Sequence, residues 1–186
     1  EDPVESNSRY AQGGIVGRSP DDNAAILSQD VLAAGAGLSY PPAVELLAEE
    51  GPRLLKEILI EECGLVFDHD PQGQAIYGLD AAHSRRRILH VGDATGAAIM
   101  QALLKRIAEK PNIQLLNGKT VVDLITFPHH ALDPLAAYQP LSCHGAYVFD
   151  QQTRQVETIL ACQTILATGG LGQIFLNTTN PAGSRG

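Results

Sequence analysis

Apolar residues recur at helical spacing in three stretches of the chain. Between 23 and 34, Ile26, Leu27, Val31 and Leu32 gather on one side, which predicts a first helix. Asp21 and Asp22 stand where caps and first-turn acids belong, and Gly35-Ala36-Gly37 closes the helix. A second helix is predicted from about Pro42, carrying Val44, Leu47, Leu54, Leu55 and Ile58. Gly51-Pro52 should bend or break it. The third is entered at Asp93-Ala94-Thr95-Gly96, repeats Ile99, Leu103 and Ile107 every four residues, and stops at Pro111.

The remaining apolar runs are short and read as strands. Gly64-Leu65-Val66-Phe67 is one, and Asp68 to Gly78 behind it has turn chemistry. Ile113–Leu116 and Val121–Phe127 open a β-rich second half. Gly145–Phe149 and Val156–Leu160 flank Asp150-Gln151-Gln152-Thr153-Arg154, which predicts a hairpin. Thr164-Ile165-Leu166-Ala167-Thr168 reads as a buried strand ending on Gly169-Gly170. In an open parallel sheet such an end is where ligands bind; a pair of glycines that only turns the chain is the other reading.

Composition narrows the function classes. The chain has 186 residues, 44% hydrophobic and 18% charged, enough for one sizeable globular core. Its net charge is −8 and its longest basic run is Arg85-Arg86-Arg87, which argues against nucleic acid and anionic membranes. No apolar stretch approaches the ~20 residues that span a bilayer. Cys63, Cys143 and Cys162 are odd in number and far apart, so free thiols in a reducing cytoplasm are expected rather than disulfides or zinc. His129-His130, between Pro128 and Asp133-Pro134, reads as a surface loop, and no metal is expected.

The most informative stretch is Ser6 to Ile15, Ser-Asn-Ser-Arg-Tyr-Ala-Gln-Gly-Gly-Ile. Gly13 and Gly14 let a backbone approach a ligand without a Cβ in the way, and Ser6, Asn7, Ser8 and Gln12 crowd donors and acceptors into the same turn. By residue type alone it is equally an ordinary turn. Its wording resembles the flavin-contacting loop of the succinate dehydrogenase/fumarate reductase flavoprotein family, in the form found in its L-aspartate oxidase branch. The resemblance continues through Asp30 to Leu38, His83-Ser84-Arg85-Arg86-Arg87-Ile88-Leu89-His90, Gly92-Asp93-Ala94-Thr95-Gly96, Thr164 to Gly170 and Asn177 to Pro181, in the family's order.

The resemblance implies an α/β fold of mixed α+β content, with a parallel sheet and a β-meander, as part of a two-dinucleotide-binding FAD flavoprotein. Residues 1–186 would be a partial FAD-binding domain, helical over about 21–110 and β-rich over about 111–170. The N-terminal pyrophosphate loop and the capping domain would be missing, since no Gly-x-Gly-x-x-Gly follows a first strand and the chain stops short of the family's Gly-Asp-Gly element. A chain cut this way is expected to be an internal piece, unable to turn over substrate alone and a weak FAD binder at best. The activity implied is FAD-dependent oxidation of L-aspartate to iminoaspartate, the first step of de novo NAD synthesis, with oxygen or fumarate as acceptor. Quinolinate synthase is the implied protein partner, and cytoplasm or plastid the location.

Site roles follow residue by residue from the same resemblance. Ser6, Asn7, Ser8, Arg9, Tyr10, Ala11, Gln12, Gly13 and Gly14 would contact the isoalloxazine and ribityl side. Val121 or Val122 would meet the adenine, with Val122 preferred, and Ala167, Thr168 and Gly169 the diphosphate or ribose. His83 and Asp80 are the candidate catalytic residues, Ser84 and Arg87 the candidate substrate ligands. Asp80 stands where the branch usually carries a Glu, one methylene longer. By residue type, His83 and Ser84 also fit a surface histidine and a turn hydrogen bond. Covalent-flavin members tether the ring through a His at the position of Asn7, which has no nucleophilic ring nitrogen, so the FAD is expected to be non-covalent. Two other readings stay open: a fumarate-reductase-type subunit, and a non-catalytic remnant that binds a partner chain.

Overall fold

A computed structural model describes residues 3–184; the outermost residues of the 1–186 assignment, 1, 2, 185 and 186, lie outside the described part. The chain divides into two compact units, 3–113 and 114–184.

The first unit is helical around a three-stranded antiparallel sheet. Its strands are β1 (Ile15–Val16), β2 (Tyr77–Gly78) and β3 (Ile88–Leu89), with β3 between the other two. Helix α1 spans Ala24–Ala34 and α2 spans Pro41–Leu54. The cap of α1 is Asn23, whose side chain accepts from the Ile26 N–H at 3.0 Å, and not Asp21 or Asp22. Gly51-Pro52 is expected to bend or break α2; the helix does not break there but runs on to Leu54. Pro52 has no N–H, so the Ala48 carbonyl loses its helical donor. Arg18 Nη2 supplies the missing hydrogen bond at 2.5 Å. Directly after α2 the chain continues as a π-helical segment, Leu55–Glu62, capped by Cys63 and followed by Gly64 at a left-handed φ of 68°.

Leu55 and Leu59 of that segment meet Leu65, Phe67 and Leu89 to form the core, flanked by Ile99 and Leu103 of α3 (Thr95–Ala108). Residues 64–67 belong to no strand among the described residues, and Gly64 is left-handed rather than extended. Leu65 and Phe67 alternate inward, and their neighbours' amides go elsewhere, Leu65 N–H to Leu59 O and Asp68 N–H to His90 O. The predicted short strand over 64–67 therefore does not form, although Leu65 and Phe67 are buried.

The second unit is a β-meander of β4 (Lys119–Phe127), β5 (Ser142–Asp150) and β6 (Gln155–Leu160), all antiparallel. Both sheets among the described residues are antiparallel, so the expected parallel sheet is not found there. Residues 113–116 and 164–168 are not strands either. Both segments are exposed, Ile165 at 88%, because no neighbouring strand among the described residues supplies the ladder that would bury them.

The predicted hairpin forms, and Asp150 organises it. Asp150 Oδ1 accepts the Gln152 and Thr153 N–H groups at 2.7 and 3.1 Å, while Lys119 Nζ donates to Oδ2 at 2.6 Å. The Lys119 ammonium and these two amides hold the Asp150 carboxyl down from its ordinary 3.8 to about 2. A depressed folded-state pKa stabilises above the unfolded value and is lost as pH falls through the folded one. The melting temperature should therefore fall as pH drops from about 4 to about 2. In Asp150→Asn the advantage of wild type should vanish across the same window. A wild-type advantage that persists at the bottom of that window counts against Asp150 as its source.

Candidate functional site

The 8–10 segment makes one 3-10 turn, with Tyr10 N–H donating to Asn7 O and Ala11 N–H to Ser8 O, each at 3.2 Å. Ser6 Oγ accepts the Arg9 N–H at 3.2 Å, and Tyr10 Oη donates to Glu5 at 2.6 Å. The loop is anchored from outside by α3, whose Gly96 N–H donates to Ala11 O at 3.0 Å. That bond satisfies one of the first-turn amides a helix leaves unpaired. It also requires glycine, since a Cβ at residue 96 would sit 1.8 Å from Ser8 O.

Asn7 to Gly13 are exposed, and Gly13 faces open space where a Cβ would meet nothing. No protein acceptor among the described residues takes the N–H of Gln12, Gly13 or Gly14. Gly14 is pressed against β3, where a Cβ would overlap Leu89 O. A run of unengaged amides beside a bare glycine, held at both ends, suits a planar ligand rich in acceptors. FAD fits this loop on those grounds. A hollow of about 280 Å³ lies between the loop and α3, lined by Ala11, Gly13, Thr95 and Ile99 among others.

The second element is the loop between β2 and β3. His83 N–H closes a turn on Asp80 O at 3.3 Å, and Ala82 takes a left-handed φ of 68° to make it. Asp80, Ser84, Arg85 and Arg86 are exposed and His83 is half-buried. Arg87 turns inward and is 0% exposed. Its Nε and Nη2 grip the two oxygens of Asp22 at 2.9 and 2.8 Å, and Nη1 donates to Asp30 Oδ2 at 2.6 Å. The same Asp30 oxygen accepts the Ser84 N–H and Oγ at 2.9 and 3.0 Å. Burial pushes the Asp30 carboxyl up, but the Ser84 and Arg87 donors outweigh it and leave it lowered. For Arg87, burial works against the charge and the two carboxylates more than restore it, so its pKa is raised.

Asp22 and Asp30 escaped the sequence reading. Asp22 looked like a helix-start acid, and nothing in the spacing tied either residue to an arginine some 60 positions later. The one available signal was Asp30 itself, a charge set directly beside Val31 and Leu32 on a helix whose inner side is apolar.

An apolar cavity of about 430 Å³ connects the two elements. It is lined by Gly14 and Ile15 from the end of the first loop, Leu27 and Val31 of α1, Leu55 beyond α2, and His83. The structure thus brings the glycine end of the loop and His83 to one cavity.

In the second unit, Val122 is exposed at a bulge in β4, where the pairing with β5 skips from Val121 to Asp123. Ala167, Thr168 and Gly169 are all exposed, with Gly169 at a φ of 76°. Among the described residues, one cluster has metal-ligand chemistry, exposed Asp123, His129 and His130, and there His130 Nε2 already faces Asp123 at 3.4 Å.

Comparison with known proteins matches the family described as FAD binding domain to residues 1–186. The chain belongs to this FAD-binding family. An L-aspartate oxidase of Agrobacterium fabrum is 40% identical over 184 residues, 98% of this chain and 32% of that protein. L-aspartate oxidase 1 of Ralstonia nicotianae is 38% identical over 95% of this chain and 32% of its own length. The chloroplastic L-aspartate oxidase 2-b of Nicotiana tabacum is 33% identical over 100% of this chain and 27% of its own. The chain therefore spans a third or less of these relatives. Its fold matches the quinol fumarate reductase FrdA of E. coli with a TM-score of 0.84 at 21% identity, over 98% of this chain and 29% of that one. Among the described residues, no helix is long and apolar enough to cross a membrane.

Proposed function

We propose that this chain is the flavin-ring and substrate-facing portion of an FAD-dependent L-aspartate oxidase. The observation that carries the reading is the shared cavity, which joins Gly14, at the end of the loop, to His83. Flavin, when bound, supplies the hydride acceptor. The chain's own contribution is placement. Unengaged amides of Gln12, Gly13 and Gly14 hold the ring edge, with Ser6, Asn7, Ser8, Arg9, Tyr10 and Ala11 framing it. His83 offers a donor to a small dicarboxylate, and Asp80, exposed three residues before it, offers a carboxylate to the substrate ammonium. Ser84 holds the loop beside His83 through its N–H and Oγ bonds to Asp30 rather than facing the substrate. The apolar wall behind them excludes water from the reacting centre. Val122 serves the adenine, and Ala167, Thr168 and Gly169 the diphosphate or ribose.

In this reading L-aspartate is oxidised to iminoaspartate with oxygen or fumarate as acceptor, opening de novo NAD synthesis. Quinolinate synthase would take up the product, in cytoplasm or plastid. Asn7 makes the flavin non-covalent.

A chimera tests the whole. Residues 3–184 replace the matching stretch of the Agrobacterium fabrum oxidase, and aspartate-dependent peroxide is measured. Activity should persist, and acid precipitation should release all the flavin into the supernatant. A chimera that holds FAD but is reduced by succinate and not by aspartate overturns the substrate reading. Flavin that stays with the acid pellet overturns the non-covalent one.

A further inference from the structure

Every donor nitrogen of Arg87 is engaged inside the protein. Besides the two bonds to Asp22 and the one to Asp30, Nη1 lies 2.9 Å from His83 Nδ1. A guanidinium carries only donors and stays protonated. The nitrogen facing it must therefore present a lone pair, because a hydrogen on Nδ1 would point directly at the Arg87 N–H. The hydrogen of the neutral ring is left on Nε2. Nε2 has no protein partner among the described residues, and the half-buried ring lines the cavity it shares with Gly14.

We infer that Arg87 is a positioning residue: it locks His83 in the Nε2–H tautomer, so that the ring presents a hydrogen-bond donor to a substrate carboxylate in this cavity. The identity of that ligand as a small dicarboxylate rests on the function proposed above; the tautomer does not. Charge supports the division of labour. One guanidinium is set between two carboxylates, so the cluster carries no surplus positive charge, and Arg87 itself is 0% exposed. A substrate anion meets the neutral Nε2–H rather than the arginine. Asp22 and Asp30 hold the guanidinium in the plane that delivers Nη1 to His83, and Ser84 braces Asp30 through its N–H and Oγ.

The test is a two-bond ¹H–¹⁵N correlation spectrum of the full chain labelled with ¹⁵N-histidine, with His83→Gln identifying the His83 signals. At alkaline pH, His83 should show a bare Nδ1 and a protonated Nε2 as its sole form. A majority with Nδ1–H overturns the inference outright. In Arg87→Lys the charge stays, but one ammonium nitrogen with three donors cannot reproduce the four contacts that the spread guanidinium makes with Asp22, Asp30 and His83, so both tautomers should appear in exchange. A His83 that remains wholly Nε2–H in that variant shows that Arg87 is not the cause. Titrating malonate into the wild-type chain should shift the Nε2–H signal and leave Nδ1 nearly unmoved. An Nε2–H signal indifferent to malonate overturns the carboxylate-facing half. Loss of aspartate oxidation in the chimera, by contrast, would strike the proposed function and leave the tautomer standing.

Discussion

Replacing Arg87 by methionine should lower the stability of the 3–113 unit by about 3–5 kcal/mol, the range for removing one partner of a buried ion pair. Methionine fills a similar length of the site, so the loss is not mainly a cavity. The penalty comes from what is left behind. Asp22 has a fully buried side chain and Asp30 one that is 14% exposed, and both carboxylates would lose the only guanidinium that pairs with them among the described residues. A surface ion pair is worth roughly 0–1 kcal/mol, which is why exposed Arg53 and Glu50 of α2, with Glu57 of the π-helical segment, would tolerate the same treatment. The mechanism makes a second demand. Asp22→Asn and Asp30→Asn, added to Arg87→Met, should recover much of the loss, because neutralising the whole cluster removes the stranded charge. Urea unfolding of the four proteins reads both effects. A loss under about 1 kcal/mol for Arg87→Met, or no recovery in the triple variant, would show that the cluster is not held by charge pairing.

This cluster also marks the boundary of what sequence could yield. Local signals survived. The 3.6-residue spacing located α1 and α3, Pro111 stopped α3 as its missing N–H requires, and the polar turn at Asp150 made its hairpin. Sequence failed where a group's fate depends on a distant partner. Gly51-Pro52 is expected to bend or break α2, but Arg18, 30 residues upstream of Ala48, supplies the lost hydrogen bond and the helix does not break. Arg87 read as a ligand for substrate because Asp22 and Asp30 are close to it only in space. Residues 164–168 have the apolar, β-branched composition of a buried strand, and their exposure reflects the lack of a pairing neighbour among the described residues. The loop at Ser6–Gly14 was recognised by resemblance to a family. Its physical reason, amides left unengaged and a helix pinned behind it, became visible only in three dimensions.

Gly96→Ala should destabilise the protein and weaken its hold on FAD, against the ordinary sign of that substitution. Inside a helix, glycine to alanine normally gains about 0.5–1 kcal/mol through lost unfolded-state freedom. Gly51, in α2, is the internal control. Outside its chain neighbours and the helix backbone, a Cβ there meets only Leu47 Cδ1 at 3.7 Å, an ordinary contact, so Gly51→Ala should cost no tertiary packing, although the Pro52 ring that follows trims the gain. At Gly96 the same atom would lie 1.8 Å from Ser8 O, 2.9 Å from Ala11 O and 3.0 Å from Ala11 Cβ. Two of these three are backbone carbonyls, which cannot swing aside as a side chain can. Either α3 or the 8–11 turn must move, at a cost of about 1–3 kcal/mol for overpacking, which exceeds the entropic gain. Movement of the turn also breaks the Gly96 N–H bond to Ala11 O, the tie that sets where Gln12, Gly13 and Gly14 present their amides. Urea unfolding and quenching of flavin fluorescence should therefore change together in Gly96→Ala, and flavin quenching should stay at the wild-type level in Gly51→Ala. If Gly96→Ala proves as stable as wild type, the packing of loop on helix is not what the contact distances say. If it is destabilised while flavin binding is untouched, the loop does not reach the cofactor, and the flavin contact assigned to Ser6–Gly14 fails with it.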